Sequence, residues 1–494
     1  MLKINRIQDL FIGLHTRYPT RNGHDVTQCY LDSTASSLAF EPAVDFVRHY
    51  LQHHANVHSE NHYSAKISTQ LFRWATDEVL RFVNADPQMY TCIFLGSGAT
   101  AGISRAARVL QQVNPKSRAL VSLMEHHSND LPHRQHLEVS HLSLLDTPTG
   151  VGCVDVAQLE QQLSRGDVSY VAVTGVSNVT GIINPVAEIV RLAHQYQSYV
   201  LIDAAQMGPH MPIDLDAWDA DALVLSGHKL YAPASPGALI IRKSLLDLTV
   251  PVEVGGGMVD DVSVHEYTIT TTYPDRELAG TPNIAGSILL GVTTNMLRRI
   301  GMQDVLAKEQ RLTKQLLAGM AKIPHITVYG SLDASARVGV VSFNVKELPH
   351  QLTAMILNDF FGIAVRNQCF CAHPYVRVLM REELWDLPVE AALSDEQIEA
   401  YIDQYRGMVR ISLGLYNTEA DIERVLTALA DITADIDYYK AQYQEDAIHG
   451  FRHQLGELPI AFAHPEREVD RWIEECRSRQ KKLTESMSLI EAAS

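Results

Sequence analysis

The chain has 494 residues, 46% hydrophobic and 20% charged, with a formal net charge of −17; this is an ordinary globular balance and enough chain for two domains. The acidic surplus argues against a nucleic-acid binder, which needs a basic face for phosphates. No apolar run reaches the roughly 18 residues of a membrane span, and "MLKINRIQDLFIG" lacks a signal-peptide core, so a cytoplasmic protein without membrane contact is expected. Its six cysteines are too few for a disulfide framework and read as reduced thiols.

In chain order, residues 1–29 read as an N-terminal segment packing with a smaller, later domain. From 30 to 300 the pattern is that of a large α/β domain. "YTCIFLG" (90–96), "RALVSLM" (118–124), "VSYVAVTGV" (168–176), "YVLIDAA" (199–205), "DALVLSG" (221–227) and "GALIIR" (237–242) are short apolar runs that read as buried strands. Helical patterns such as "ATAGISRAARVLQQV" and "PVAEIVRLAHQY" separate several of them. Such alternation predicts a mostly parallel central sheet. Residues 301–430 read as a smaller α+β domain, with a helix at "VLAKEQRLTKQLLAGMA", strands at "ITVYG" and "VGVVSFNV", and a T-x-x-D capping box opening "TEADIERVLTALADI". Residues 431–494 read as an appended helical extension.

Ligands of parallel α/β sheets sit at the carboxyl ends of strands, and polar residues gather there. "GSGAT" supplies Gly98, Ala99 and Thr100 at a helix start, where backbone N–H groups can hold an anion. "MEHHSND" supplies His126, "VSNVTG" Asn178, "DAAQ" Asp203 and Gln206, and "SGHK" Ser226, His228 and Lys229. A lysine in an apolar run is unusual, and burial frees its amine for a Schiff base. With an acid for a pyridinium nitrogen, a phosphate cup and a flat imidazole for the ring face, these residues supply what pyridoxal 5'-phosphate requires.

The runs "YLDSTASS", "ANVHSENHYS", "GSGAT", "MEHHSN", "VSNVTGIINPV", "IDAAQ", "SGHKLYAP", "AGTPNIAG" and "RISLGLYNTEADI" resemble, in order, the class V aminotransferases of PLP fold type I, and among them the cysteine desulfurases and selenocysteine lyases. The resemblance implies Lys229 as the cofactor lysine, Asp203 as the pyridinium partner, Gln206 near the phenolic oxygen and His126 on the ring. Asn178 would lie near cofactor and substrate. Thr100, Ser226 and His228 would hold the phosphate. It implies a homodimer in which Thr281 reaches the phosphate of the neighbouring subunit.

At the substrate end, Arg410 falls where the family clamps the amino-acid carboxylate, and Arg366 lies close to the expected thiol. "VRNQCFCAHPY" (365–375) falls on the desulfurase loop, with Cys371 at the nucleophile's position. The matching subgroup has a glycine and two histidines where this chain has Gln368, Cys369 and Phe370. The stretch 376–409 is an insertion with a helix start at Ser394 and Gln397. Three readings follow. Cys371 accepts sulfur from a cysteine-like substrate as a persulfide and hands it to an acceptor. Or the enzyme runs another PLP reaction, a β-elimination, epimerisation or biosynthetic step, with Cys371 a bystander. Or, remotely, Cys369, Cys371 and His373 bind a metal, although C-x-C-x-H is poor zinc spacing.

Overall fold

The computed structural model describes residues 7–380, 406–446, 450–459 and 464–491. Ser394 and Gln397, the helix start expected in the insertion, lie outside the described residues. Among those residues no helix is long and apolar enough to cross a membrane.

The large domain is built on seven strands: β1 (Tyr90–Leu95), β2 (Arg118–Ser122), β3 (Glu138–Leu142), β4 (Val168–Thr174), β5 (Tyr199–Asp203), β6 (Ala222–Ser226) and β7 (Gly237–Arg242). Their spatial order is β1-β7-β6-β5-β4-β2-β3. Only β7 runs against its neighbours, β6 and β1, so the sheet is mostly parallel as expected. β2, β4 and β6 are buried at every position, because helices cover both faces of such a sheet. Edge strand β3, "EVSHL", was not expected. Its mixed residues carry no strand period, and pairing with β2 decides its conformation. Helices α1 (Tyr63–Phe82), α2 (Gly98–Val113) and α3 (Ile284–Ile300) contribute Phe72, Ile103 and Ile288 to the core.

The smaller domain holds α4 (Met302–Met320) and an antiparallel sheet of β8 (Ile326–Val328), β9 (Val340–Val345), β10 (Arg366–Gln368) and β11 (Met408–Ser412), in the order β8-β9-β11-β10. Helices α5 (His350–Phe361) and α6 (His373–Leu379) precede β11, and α7 (Glu419–Ala434) follows it. Leu312, Phe343, Ile356 and Val425 fill a separate core. The predicted capping box forms at α7 between Thr418 and Asp421.

Two expectations need correction. The N-terminal segment does not pack with the small domain alone. Ile7 and Phe11 join the large-domain core, where Phe11 lies 4.9 Å from Phe40. The following hairpin turns to the small domain, with Arg21 N donating to Asp359 O at 2.7 Å. The extension is not wholly helical either. β12 (Tyr443–Asp446) pairs with β13 (Gly450–His453) before α8 (Pro465–Glu491). Tyr443 and His453 are buried, and Tyr443 Oη donates to Asp359 at 2.9 Å. Docking on α5 overrides the local helical pattern.

Candidate active site

The carboxyl ends of β1, β2, β4, β5 and β6 face one cavity of about 620 Å³, and Arg366, Phe370, Cys371 and Arg410 of the small domain line it from the other side. Every predicted site residue except Thr281 lines this cavity. Thr281 is exposed and lies 3.4 Å from Asn56 Nδ2.

Lys229 ends a single turn, Gly227–Lys229, after β6. Loss of solvent pushes its ammonium below the ordinary lysine value; Asp203 opposes this and Arg410 adds to it. Asp203 is buried at the end of β5, and burial raises its carboxyl, against the N–H of Ala205 at 2.9 Å and the charge of Lys229. Burial thus favours the neutral form of each group, and the charge of each partly offsets the shift of the other. His126 is pushed down to about 3, first by burial and then by Lys229, His127 and Arg410. It is therefore a neutral, flat ring at physiological pH, with Nδ1 accepting from Ser128 N at 3.1 Å.

The start of α2 makes an anion cradle. Gly98 has φ +60, and a Cβ there would stand 3.3 Å from Ser226 Oγ. Thr100 Oγ1 and Ser128 Oγ are 2.8 Å apart at the same rim. Gly237 at the start of β7 lies so close that a Cβ would meet the Gly98 backbone at 2.3 Å. Gln206 donates Nε2 to Thr34 O at 2.9 Å, while its buried Oε1 has no hydrogen-bond partner.

Arg410 is buried in β11. It donates to Asn178 O at 3.0 Å and to Asp32 Oδ1 at 3.2 Å, and its guanidinium lies 4.6 Å from the Phe370 ring centre. Burial lowers it to about 10, with Asp32 pulling the other way. Arg366 is exposed on β10, opposite Arg410 in the ladder. Cys371 is exposed and Cys369 buried. Cys369 Sγ faces Arg406 O at 3.4 Å, and His373 pairs with His127. Among the described residues no group of three or more His, Cys, Asp or Glu is arranged to hold a metal, which removes the geometry of the metal reading.

The family model for Aminotransferase class-V matches residues 29–425. The chain belongs to the class-V aminotransferase family. A cysteine desulfurase of Enterobacter sp. (strain 638) is 33% identical over 417 residues, covering 84% of this chain and 95% of that protein. The apo structure of a cysteine desulfurase from Thermococcus onnurineus NA1 superposes with a TM-score of 0.71 at 28% identity, over 82% of this chain and 95% of that one. The Escherichia coli cysteine desulfurase CsdA (S-sulfonic acid) gives 0.71 at 25% identity, over 88% and 99%.

Class-V enzymes of this kind are PLP-dependent, and this chain is a desulfurase-like PLP enzyme. Its cavity fits that cofactor. It has an anion cradle at a helix start, a desolvated amine facing a buried acid, and an orphaned polar atom on Gln206.

Sequence reasoning missed Asp32, Glu125, Ser128 and Phe370. Glu125 is buried behind His126, accepting from Thr174 N at 2.8 Å and Asn129 Nδ2 at 2.7 Å, and burial pushes its carboxyl up to about 8. Asp32 and Glu125 stand inside runs already singled out. The Arg410 partner of Asp32 comes from the far end of the chain, and Glu125 joins its near neighbours Ser122 and Asn129 to Thr174 of β4, a link that a local run does not display.

Proposed function

We propose that this enzyme takes sulfur from cysteine, leaves alanine, and passes the sulfur through Cys371 to a sulfur acceptor. The observation that supports this best is that a single cavity holds the lysine–aspartate pair on one wall and an exposed thiol on the other. Bound there through Lys229, pyridoxal phosphate supplies the electron sink that lets bonds at the substrate's Cα and Cβ break. Gly98, Ala99, Thr100, Ser226 and His228 hold the phosphate, His126 covers the ring, and Asp203 keeps the proton on the ring nitrogen. Arg410 takes the substrate carboxylate in its planar fork, oriented by Asn178 O and Asp32. The Lys229 amine moves the proton at Cα. The Cys371 thiolate then attacks the substrate sulfur. An S–S bond forms, the Cβ–S bond breaks, and its electron pair stays on the carbon skeleton, which takes up a proton as alanine.

The working unit in this reading is a homodimer, with Thr281 reaching the partner's phosphate site. Its exposure and its place outside its own chain's cavity support this.

The test is to incubate the enzyme with cysteine, quantify alanine, alkylate, and map persulfide by peptide mass. Sulfur on Cys371 and its loss in Cys371→Ser are expected. Wild-type turnover to pyruvate and ammonia by Cys371→Ser would replace this reading with a β-lyase.

A further inference from the structure

Cys371 sits on a backbone that resists its own shape. Gln368, Phe370 and Cys371 have φ of +102, +51 and +55, values that side-chain-bearing residues avoid. Something must hold the loop, and the large domain supplies the attachments. Asn178 Nδ2 donates to Phe370 O at 2.8 Å. His127 N donates to Cys371 O at 2.7 Å. The His127 and His373 rings stack, with centroids 4.9 Å apart and planes at 11°, and His373 Nδ1 lies 3.0 Å from His127 Nε2. The backbone N–H of His373 also points at His127 Nε2, at 3.4 Å. His127 directly follows His126, so one dipeptide touches both the cofactor face of the cavity and the thiol loop.

We propose that His127 and His373 form a pH-operated clasp that sets the reach of Cys371, closed while His127 Nε2 is bare and open when it carries a proton. The backbone N–H of His373 points at Nε2, so the neutral His127 carries its proton on Nδ1 and leaves Nε2 to accept from His373 Nδ1 as well. A proton added at Nε2 sets its N–H against the backbone N–H of His373. Burial lowers His127 below the ordinary histidine value, and His373 adds to this. Asp130 opposes, and Arg134 lowers it further. Asp130 is itself held by Arg134 on the same turn and by His141 of β3 at 3.1 Å. His126 lies alongside, with ring centroids 6.3 Å apart, and the next charged side chain on α6 is Arg377. A group lowered in the closed form favours closure at high pH, and that contribution is lost as pH falls below roughly 6.5, the free histidine value. The part the clasp plays in turnover rests on the sulfur-transfer reading above.

The test is the rate at which Cys371 of the holoenzyme reacts with dithiodipyridine, which works in acid and alkali, followed on the Cys371 peptide. Exposed Cys476 serves as the internal control, and unchanged cofactor absorbance shows that the fold is intact. Removing a ring two residues away can shift the thiol itself, so each rate is divided by the thiolate fraction of Cys371 measured in that same variant before the ratio is taken. His373→Phe keeps a flat ring but no donor, so its ratio should be about fivefold at pH 8, the scale of one net hydrogen bond, and should approach unity at pH 5. His373→Asn keeps a donor at the position of Nδ1, and can turn its oxygen to a charged His127, so it should match wild type at pH 8. A ratio for His373→Phe that is flat across pH, or a His373→Asn loop as open as that of His373→Phe, overturns the clasp. A pH-dependent ratio with no persulfide on Cys371 upholds the clasp and overturns sulfur transfer; persulfide with a flat ratio does the reverse.

Discussion

Single residues in this site work by holding charge where water is scarce. Asp203 is buried and faces Lys229. Asp203→Asn keeps the shape but removes the charge that favours a protonated ring nitrogen. Turnover should fall roughly 10–1000-fold, equivalent to one to a few kcal/mol in the transition state, while cofactor affinity measured by absorbance titration changes far less. Near-normal turnover would show that Asp203 is not the partner. Arg410 makes a different demand. Its fork is fixed by Asn178 O, Asp32 and the face of Phe370, so Arg410→Lys keeps a charge and loses the geometry. KM for the amino acid should rise at least about tenfold, the loss of one charge-assisted hydrogen bond, with the resting spectrum unchanged; an unaltered KM would move the carboxylate site elsewhere. His126, pushed down to about 3, stays neutral throughout the working range. Any bend in the kcat profile between pH 5 and 8 should therefore survive His126→Phe, even though the rate drops. Lys229, Asp203 and His126 were legible in the sequence because each breaks an apolar run at a strand end. Phe370 was not, since an aromatic next to a cysteine has the same pattern as core packing, and only the guanidinium above it reveals a role.

Elements are held to the site by backbone contact as much as by side chains. The entry of β7 presses on the start of α2 at Gly237 and Gly98, where no Cβ fits. Gly237→Ala should displace the anion cradle. We expect a loss of about 1–3 kcal/mol in stability from overpacking, seen as a lower Tm, and weaker cofactor binding by titration. A variant with native Tm and affinity would refute the close approach. The strands of the large sheet were readable because burial on both faces leaves continuous apolar runs. The α7 capping box was readable for a local reason too, since Thr418 and Asp421 are three residues apart. The failures share a cause. β3 and the β12–β13 hairpin are made by pairing and docking partners remote in sequence, and window patterns do not contain those partners.

Among the described residues the two largest apolar cores have the cavity between them, the large-domain strand ends on one side and β10, β11 and the thiol loop on the other, and a third, smaller cluster joins Met124 and Val179 to Cys369 and Phe370 of that loop. In the proposed homodimer Thr281 serves the second cavity. Sedimentation should give a dimer, and Thr281→Ala should weaken cofactor binding without altering the spectrum of the bound form; a monomer with full activity would exclude this arrangement. Asn178, at the end of a large-domain strand, spends its carbonyl on Arg410 and its amide on the Phe370 carbonyl. In the proposed reading of Arg410 as the carboxylate clamp, the grip on the substrate and the position of the thiol are two ends of one small lever. An amino acid whose carboxylate tugs on Arg410 will be felt at Cys371, whereas the matching amide or ester, which pulls less, should leave the sulfur acceptor out of register even when it enters the cavity.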